Sequence, residues 1–165
     1  MVRSVFYSFH YKPDVYRVSQ VRNIGALEAN KSAHDNDWET VTKGGDKAIE
    51  KWIADQMHGR SCTVVLVGQN TAGRKWITHE IVKSWNEKMG VVGIHIHGLR
   101  NDESKISNKG GNPFAHINFV ESGKRLSAIV QCYDPGGSNS KERYAWISRN
   151  LEAAVEEAIR VRKGN

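Results

Sequence analysis

The sequence predicts an α/β protein: three layers, with a central, mostly parallel sheet covered by helices on both faces. Three observations lead there. β-rich runs alternate along the chain with stretches of helical periodicity. The central runs, "CTVVLVG" (62–68) and "VVGIHI" (91–96), are apolar without alternation, as strands buried on both faces must be. No repeat, low-complexity tract or linker breaks the pattern, so the 165 residues are read as one domain, 1–165.

"SVFYSF" (4–9) is β-branched and aromatic and reads as the first strand. "HYKPD" is a loop in which Pro13 is expected to exclude helix and Asp14 to cap the next helix. Val15, Val18, Val21 and Ile24 then recur at helical spacing up to Gly25. The polar stretch 27–45 reads as a long loop with an edge strand in "DNDWETV". Ile49, Trp52, Ile53 and Met57 form a helical stripe. After the strand at 62–68 and the loop "QNTAG", a helix is predicted from Arg74 to Met89, its core stripe being Ile77, Ile81, Val82, Trp85 and Met89. The strand 91–96 leads into a polar, glycine-rich insertion. "LSAIVQC" (126–132) reads as the last strand. A final helix, capped by Ser138 or Ser140, lines Tyr144, Ile147, Leu151, Val155 and Ile159 on one face.

Composition narrows the function. With 39% apolar and 25% charged residues the chain is that of a globular protein. No apolar run nears the ~20 residues that cross a bilayer, so no membrane partner is expected. The opening "MVRSVFYSF" lacks the pattern of a signal peptide, and the expected location is the cytoplasm. Cys62 and Cys132 fit no Cys-x-x-Cys pattern and read as buried, reduced thiols. The net charge of +6 favours anionic partners. The lysines and arginines are scattered, however, so nucleic acid is an unlikely partner; a nucleic-acid module would show steeply salt-dependent retention.

In such folds, ligands sit beyond the carboxyl ends of the strands, where strand order switches. The segments there are 8–14, 68–74 and 97 onward. "RKWITHE" (74–80) begins at that edge, and Trp76 and Glu80, four apart, share a helix flank. Glu80 is either a surface glutamate or a carboxylate half-shielded by indole and sheet edge, suited to sugar hydroxyls or a cation. Arg17 and Arg22 are either helix-surface charges or anion-holding groups. His95 and His97, on one strand face, are either packed histidines or, with a third such as His116, zinc ligands; the former is favoured, and no metal is expected. Missing motifs argue against a P-loop nucleotidase, a Rossmann dehydrogenase, a phosphoacceptor receiver and an α/β-hydrolase.

"SFHYKPDVYRVSQVRN" (8–23), "VVLVGQNTAGRKWITHEI" (64–81), "VVGIHIHGL" (91–99) and "SNKGGNPF" (107–114) occur in an order that closely resembles the TIR-like proteins of the bacterial Thoeris anti-phage defence system. The resemblance spans residues 2 to about 134. It implies a flavodoxin-like TIR fold and an NAD glycohydrolase/cyclase that makes a cyclic ADP-ribose isomer. That diffusible product would activate a partner effector, after a phage-derived trigger. It further implies that Glu80 is the catalytic glutamate, that Phe9 and Trp76 line the nucleotide pocket, and, more weakly, that Ser8, His10 and Arg17 bind substrate. NAD+ enters as substrate, with no cofactor. The segment 27–45 falls where TIR domains carry the loop used in self-association. A non-catalytic TIR-like adaptor is the rival reading. The polar insertion at 99–116 and the second histidine, His97, depart from the family pattern.

Overall fold

The runs that lack polar alternation form the middle of the sheet. A computed structural model describes residues 2–29, 41–119 and 122–165. Its strands are β1 (Ser4–Ser8), β2 (Glu28–Ala29), β3 (Cys62–Val67), β4 (Gly90–His95) and β5 (Cys132–Tyr133). They pair in the order β2-β1-β3-β4-β5, every pairing parallel. All six residues of β3 and of β4 are buried. Four helices of twelve residues or more lie among the described residues: α1 (Tyr11–Arg22), α2 (Asp46–Met57), α3 (Lys75–Asn86) and α4 (Ser140–Lys163).

Side-chain alternation along the strands sorts the core into two faces. Val5, Tyr7, Val64, Leu66, Val92 and Ile94 meet Val18 and Val21 of α1 and Ile147, Leu151 and Val155 of α4. On the other face Val65, Val67 and Val91 meet Ile77 and Ile81 of α3, and Phe6 meets Ile49, Ile53 and Met57 of α2. Each such aliphatic side chain contributes roughly 1.5–3 kcal/mol when removed from water. Helices on both faces of a parallel sheet make the flavodoxin-like, TIR-like architecture.

Several elements depart from the sequence reading, each for a physical reason. Helix α1 starts at Tyr11, ahead of Pro13; first-turn N–H groups have no intrahelical partner, so a proline costs little there. Asp14 does not cap it. It is buried, 3.7 Å from Arg17, and its burial raises its pKa to about 6. "LSAIVQC" is mostly not a strand. Leu126–Ala128 form a 3-10 turn whose Leu126 carbonyl accepts from the N–H groups of Ile129 and Val130, and only Cys132–Tyr133 join the sheet. A short apolar run cannot by itself tell a strand from a buried turn.

Further differences are smaller. The described edge strand is Glu28–Ala29, while residues 30–40, including most of "DNDWETV", lie outside the described residues. Val82 and Tyr144, expected in core stripes, are exposed. Asn139, not a serine, caps α4 by accepting from the Glu142 N–H at 2.9 Å. Cys62 is buried and Cys132 half-buried, and both are free.

Close approach fixes how α4 lies on the sheet. A methyl group at Gly90 would stand 2.8 Å from the Ile159 main-chain nitrogen and 2.9 Å from the Ala158 carbonyl carbon. Neither backbone atom can yield alone. Gly90→Ala is therefore expected to cost about 1–3 kcal/mol, read as a lower urea midpoint at unchanged slope. An unchanged midpoint would show that α4 does not bear on β4 in this way.

Candidate active site

Strand order switches between β1 and β3, and a cavity of about 650 Å³ opens beyond their carboxyl ends. β1 and the residues after it bring Phe6, Tyr7, Phe9 and His10; α1 opens with Tyr11 and Lys12; the segment after β3 brings Asn70, Ala72 and Gly73; α3 and its N-cap bring Arg74, Trp76 and Glu80; α2 adds Trp52. The loop between β3 and α3 is held by Thr71, fully buried, whose Oγ1 accepts from the Gly68 N–H at 2.8 Å.

Helix α3 is pinned by a polar contact inside the core. Thr63 Oγ1 of β3 lies 2.6 Å from Ser84 Oγ, and Ser84 Oγ lies 2.6 Å from the Glu80 carbonyl oxygen. A serine bonding back to the carbonyl four residues earlier satisfies its own hydroxyl and ties the helix to the strand. It also fixes the helix face from which the Glu80 side chain leaves. That face carries Ile77, Glu80, Ile81 and Ser84 as its buried residues.

Glu80 is 7% exposed, and its Oε2 has no hydrogen-bond partner among the described residues. Removal from water disfavours the anion, and the carboxyl pKa is pushed up to about 8, chiefly by burial. Ser8 beneath it draws the value down a little, yet Ser8 Oγ is itself buried without a completed hydrogen bond. A buried carboxyl oxygen without a partner among the described residues, lining an aromatic cavity, is costly, and such groups concentrate at functional sites.

The walls are aromatic. Phe9 and Tyr11 stand 6.0 Å apart at their ring centres, and Trp76 meets His79 edge-on at 5.4 Å. His10 is held below its ordinary pKa by burial first and then by Arg74; its buried Nδ1 has no partner among the described residues. A broader groove of about 840 Å³ runs along α2 and α3. Three of its four lysines, Lys51, Lys75 and Lys83, are already paired with Asp55, Asp46 and Glu87.

Of the residues picked from sequence, Phe9, His10, Trp76 and Glu80 line the cavity and Ser8 lies beneath Glu80. Arg17 does not line it. Its guanidinium is buried, donating to the carbonyls of Leu99 at 2.8 Å and Lys105 at 3.0 Å, so it holds the polar insertion against α1 instead. His95 and His97 pack edge-on at 5.6 Å at the end of β4, with His95 Nε2 3.5 Å from Cys132 Sγ. Among the described residues no three His, Cys, Asp or Glu side chains are grouped to hold a metal ion, and none of the helices is long and apolar enough to cross a membrane. Sequence reading passed over Trp52, Lys12 and Arg74 as site residues. The two cations lie in segments already placed at the functional edge, whereas nothing local marks Trp52, which α2 delivers from the far side.

The raised Glu80 pKa has a consequence for stability. The folded protein keeps a proton at this carboxyl up to about pH 8, whereas the unfolded chain gives it up near pH 4.5. Stability is therefore lost as pH rises between those values. Glu80→Gln removes the effect and is expected to be more stable than the parent at pH 8.5 by roughly 2–4 kcal/mol, or roughly 5–10 °C in Tm. At pH 5 the gap should be small. Thermal melts at both pH values check this, and a gap independent of pH would contradict the buried, protonated state.

Comparison with known proteins agrees with this architecture. The family model described as "Thoeris protein ThsB, TIR-like domain" matches residues 6–101, more than half of the chain. A protein of Bacillus cereus (strain MSX-D12), named "Putative cyclic ADP-D-ribose synthase ThsB1", is 35% identical over 133 residues, which cover 76% of this chain and 69% of that protein. A parallel sheet in the order β2-β1-β3-β4-β5, a crevice at its switch point and these two matches together show that the chain belongs to the TIR-like domain family of Thoeris ThsB proteins.

Proposed function

We propose that the protein cleaves the nicotinamide–ribose bond of NAD+ and closes the ADP-ribosyl product into a cyclic ADP-ribose isomer. The observation that carries this reading is Glu80, a carboxyl buried with no described partner for Oε2 on the floor of a cavity walled by Phe9, Tyr11, Trp52 and Trp76. The name of the Bacillus cereus relative, "Putative cyclic ADP-D-ribose synthase ThsB1", supports the same chemistry.

The chemistry needs little acid. Nicotinamide leaves as a neutral base, taking both electrons of the C1′–N bond, so the barrier lies in the cationic ribose that remains. A carboxylate facing that ribose stabilises the developing charge, as in glycoside hydrolysis. Glu80 holds the ribose hydroxyls and opposes the charge at C1′. The cationic nicotinamide ring, on entering, favours the ionised carboxyl, so binding substrate draws the proton off Glu80. Phe9 and Trp76 wall the rings and exclude water. With water excluded, C1′ bonds to a hydroxyl of the same molecule, whose proton passes to the Glu80 carboxylate, or to a nitrogen of its adenine, which then carries the positive charge. Ser8 and His10 help to hold the ribose in register.

In the cell the product is a diffusible signal that activates an effector, released after a phage-derived trigger prompts self-association through the 27–45 segment. Most of that segment lies outside the described residues.

Two measurements test the proposal. Mass spectrometry of nucleotides from phage-infected cells should show NAD+ loss and a cyclic product, with Glu80→Gln lowering the rate by about 10²–10³-fold; equal turnover by both proteins would end the assignment. The free enzyme must ionise Glu80 to act, so kcat/KM should rise with pH and level off above about 8. A profile flat from pH 6 to 9 would remove Glu80 from the reaction.

A further inference from the structure

The charges around the cavity are unevenly placed. Among its described lining residues Glu80 is the one acid, and it sits on the floor. The cations Lys12 and Arg74 stand at the mouth, exposed, and neither forms an ion pair among the described residues. Lys75 beside them is engaged: its Nζ lies 2.6 Å from Asp46 and 4.9 Å from the centre of the Trp76 ring. Two cations from different elements, α1 and the start of α3, thus face one opening.

The same opening receives a helix terminus. Arg74 is the N-cap residue of α3, and its side chain makes no capping hydrogen bond. The first-turn N–H groups carry the positive end of the helix dipole and suit an anion. Gly73, just before, has φ +81° and, among the described residues, nothing within 4 Å of where a Cβ would stand, so a ligand can approach the backbone there. The unpartnered Glu80 Oε2 independently marks this cavity as built for a ligand.

Resting on the reading that the cavity takes a dinucleotide, we propose that Lys12, Arg74 and the uncapped first turn of α3 bind its diphosphate. The spacing fits. Glu80 lies six residues into the helix from Arg74, roughly 9 Å along its axis, about the reach of one ribose with its 5′-phosphate. The anionic bridge at the mouth therefore sets the nicotinamide ribose over Glu80. Lys12 and Arg74 are positioning residues: they decide which end of the molecule goes in, and they select phosphorylated ligands over bare nucleosides.

The test is calorimetric, with the full chain and two probes, ADP-ribose and inorganic pyrophosphate, each titrated to millimolar concentration. Lys12→Ala and Arg74→Gln change exposed side chains, and thermal melts matching the parent verify folding. Each is expected to weaken both probes about tenfold, to flatten the salt dependence of binding, and to leave nicotinamide riboside binding unchanged. Arg74→Lys should recover part of the loss. If the double variant binds both probes as the parent does, or if the parent binds neither, the diphosphate assignment is overturned. That outcome leaves the catalytic reading standing provided that Glu80→Gln still lowers NAD+ cleavage by about 10²–10³-fold. Conversely, loss of pyrophosphate binding in the variants upholds the anion site even if Glu80→Gln cleaves NAD+ normally.

Discussion

A carboxyl group held out of water, with one oxygen unpaired among the described residues, is the constraint around which the site of this protein is arranged. Glu80 cannot stay there on its own account, because burying a polar group without a partner costs on the order of 1–3 kcal/mol. The surrounding fold offsets that cost. Ile77 and Ile81 on the same helix face sit in the core formed by Val65, Val67 and Val91. The Thr63–Ser84 contact fixes the helix against β3. With both anchors in place, Glu80 has no freedom to turn towards solvent. The carboxyl adapts instead by holding its proton, burial pushing its pKa up to about 8.

The same anchoring explains why the cavity lies where it does. Strand order reverses between β1 and β3, so the helices that follow them, α1 and α3, lie on opposite faces of the sheet and their connecting segments diverge. Phe9 and His10 leave on one side and the loop to Trp76 on the other, so aromatic groups far apart in sequence face each other across a gap that the sheet does not fill. Phe6 carries α2 against the back of the same region, which brings Trp52 to the wall.

The polar insertion after β4 is ordered by buried contacts despite its composition. Arg17 binds the Leu99 and Lys105 carbonyls, the Ser107 N–H donates to the His97 carbonyl, and Gly110 packs directly on the Gly68 carbonyl oxygen. A side chain at Gly110 would collide with that oxygen, and one at Gly68 would collide with the Asp14 carboxylate. The insertion, the end of β3 and the first turn of α1 thus form one packed unit beside the cavity. This arrangement gives Arg17 and Asp14 structural roles, although their residue types alone would suit ligand binding equally well.

By itself, the sequence determined the fold class, the central strands and the helix that carries Trp76 and Glu80, because periodicity and two-sided apolarity are local signals that survive any tertiary detail. The quoted motifs determined the family, and with it the pairing of Phe9 with Glu80 as candidates. Only the tertiary structure decided which charged groups face the cavity. Sequence pointed to Arg17 and passed over Arg74, yet the first is consumed by carbonyls some eighty residues away and the second stands at a helix terminus on the cavity mouth. The short last strand, the early start of α1 and the exposure of Val82 were likewise settled by the groups that pack against them. Burial and pairing are properties of neighbours in space, and a linear pattern records only neighbours along the chain.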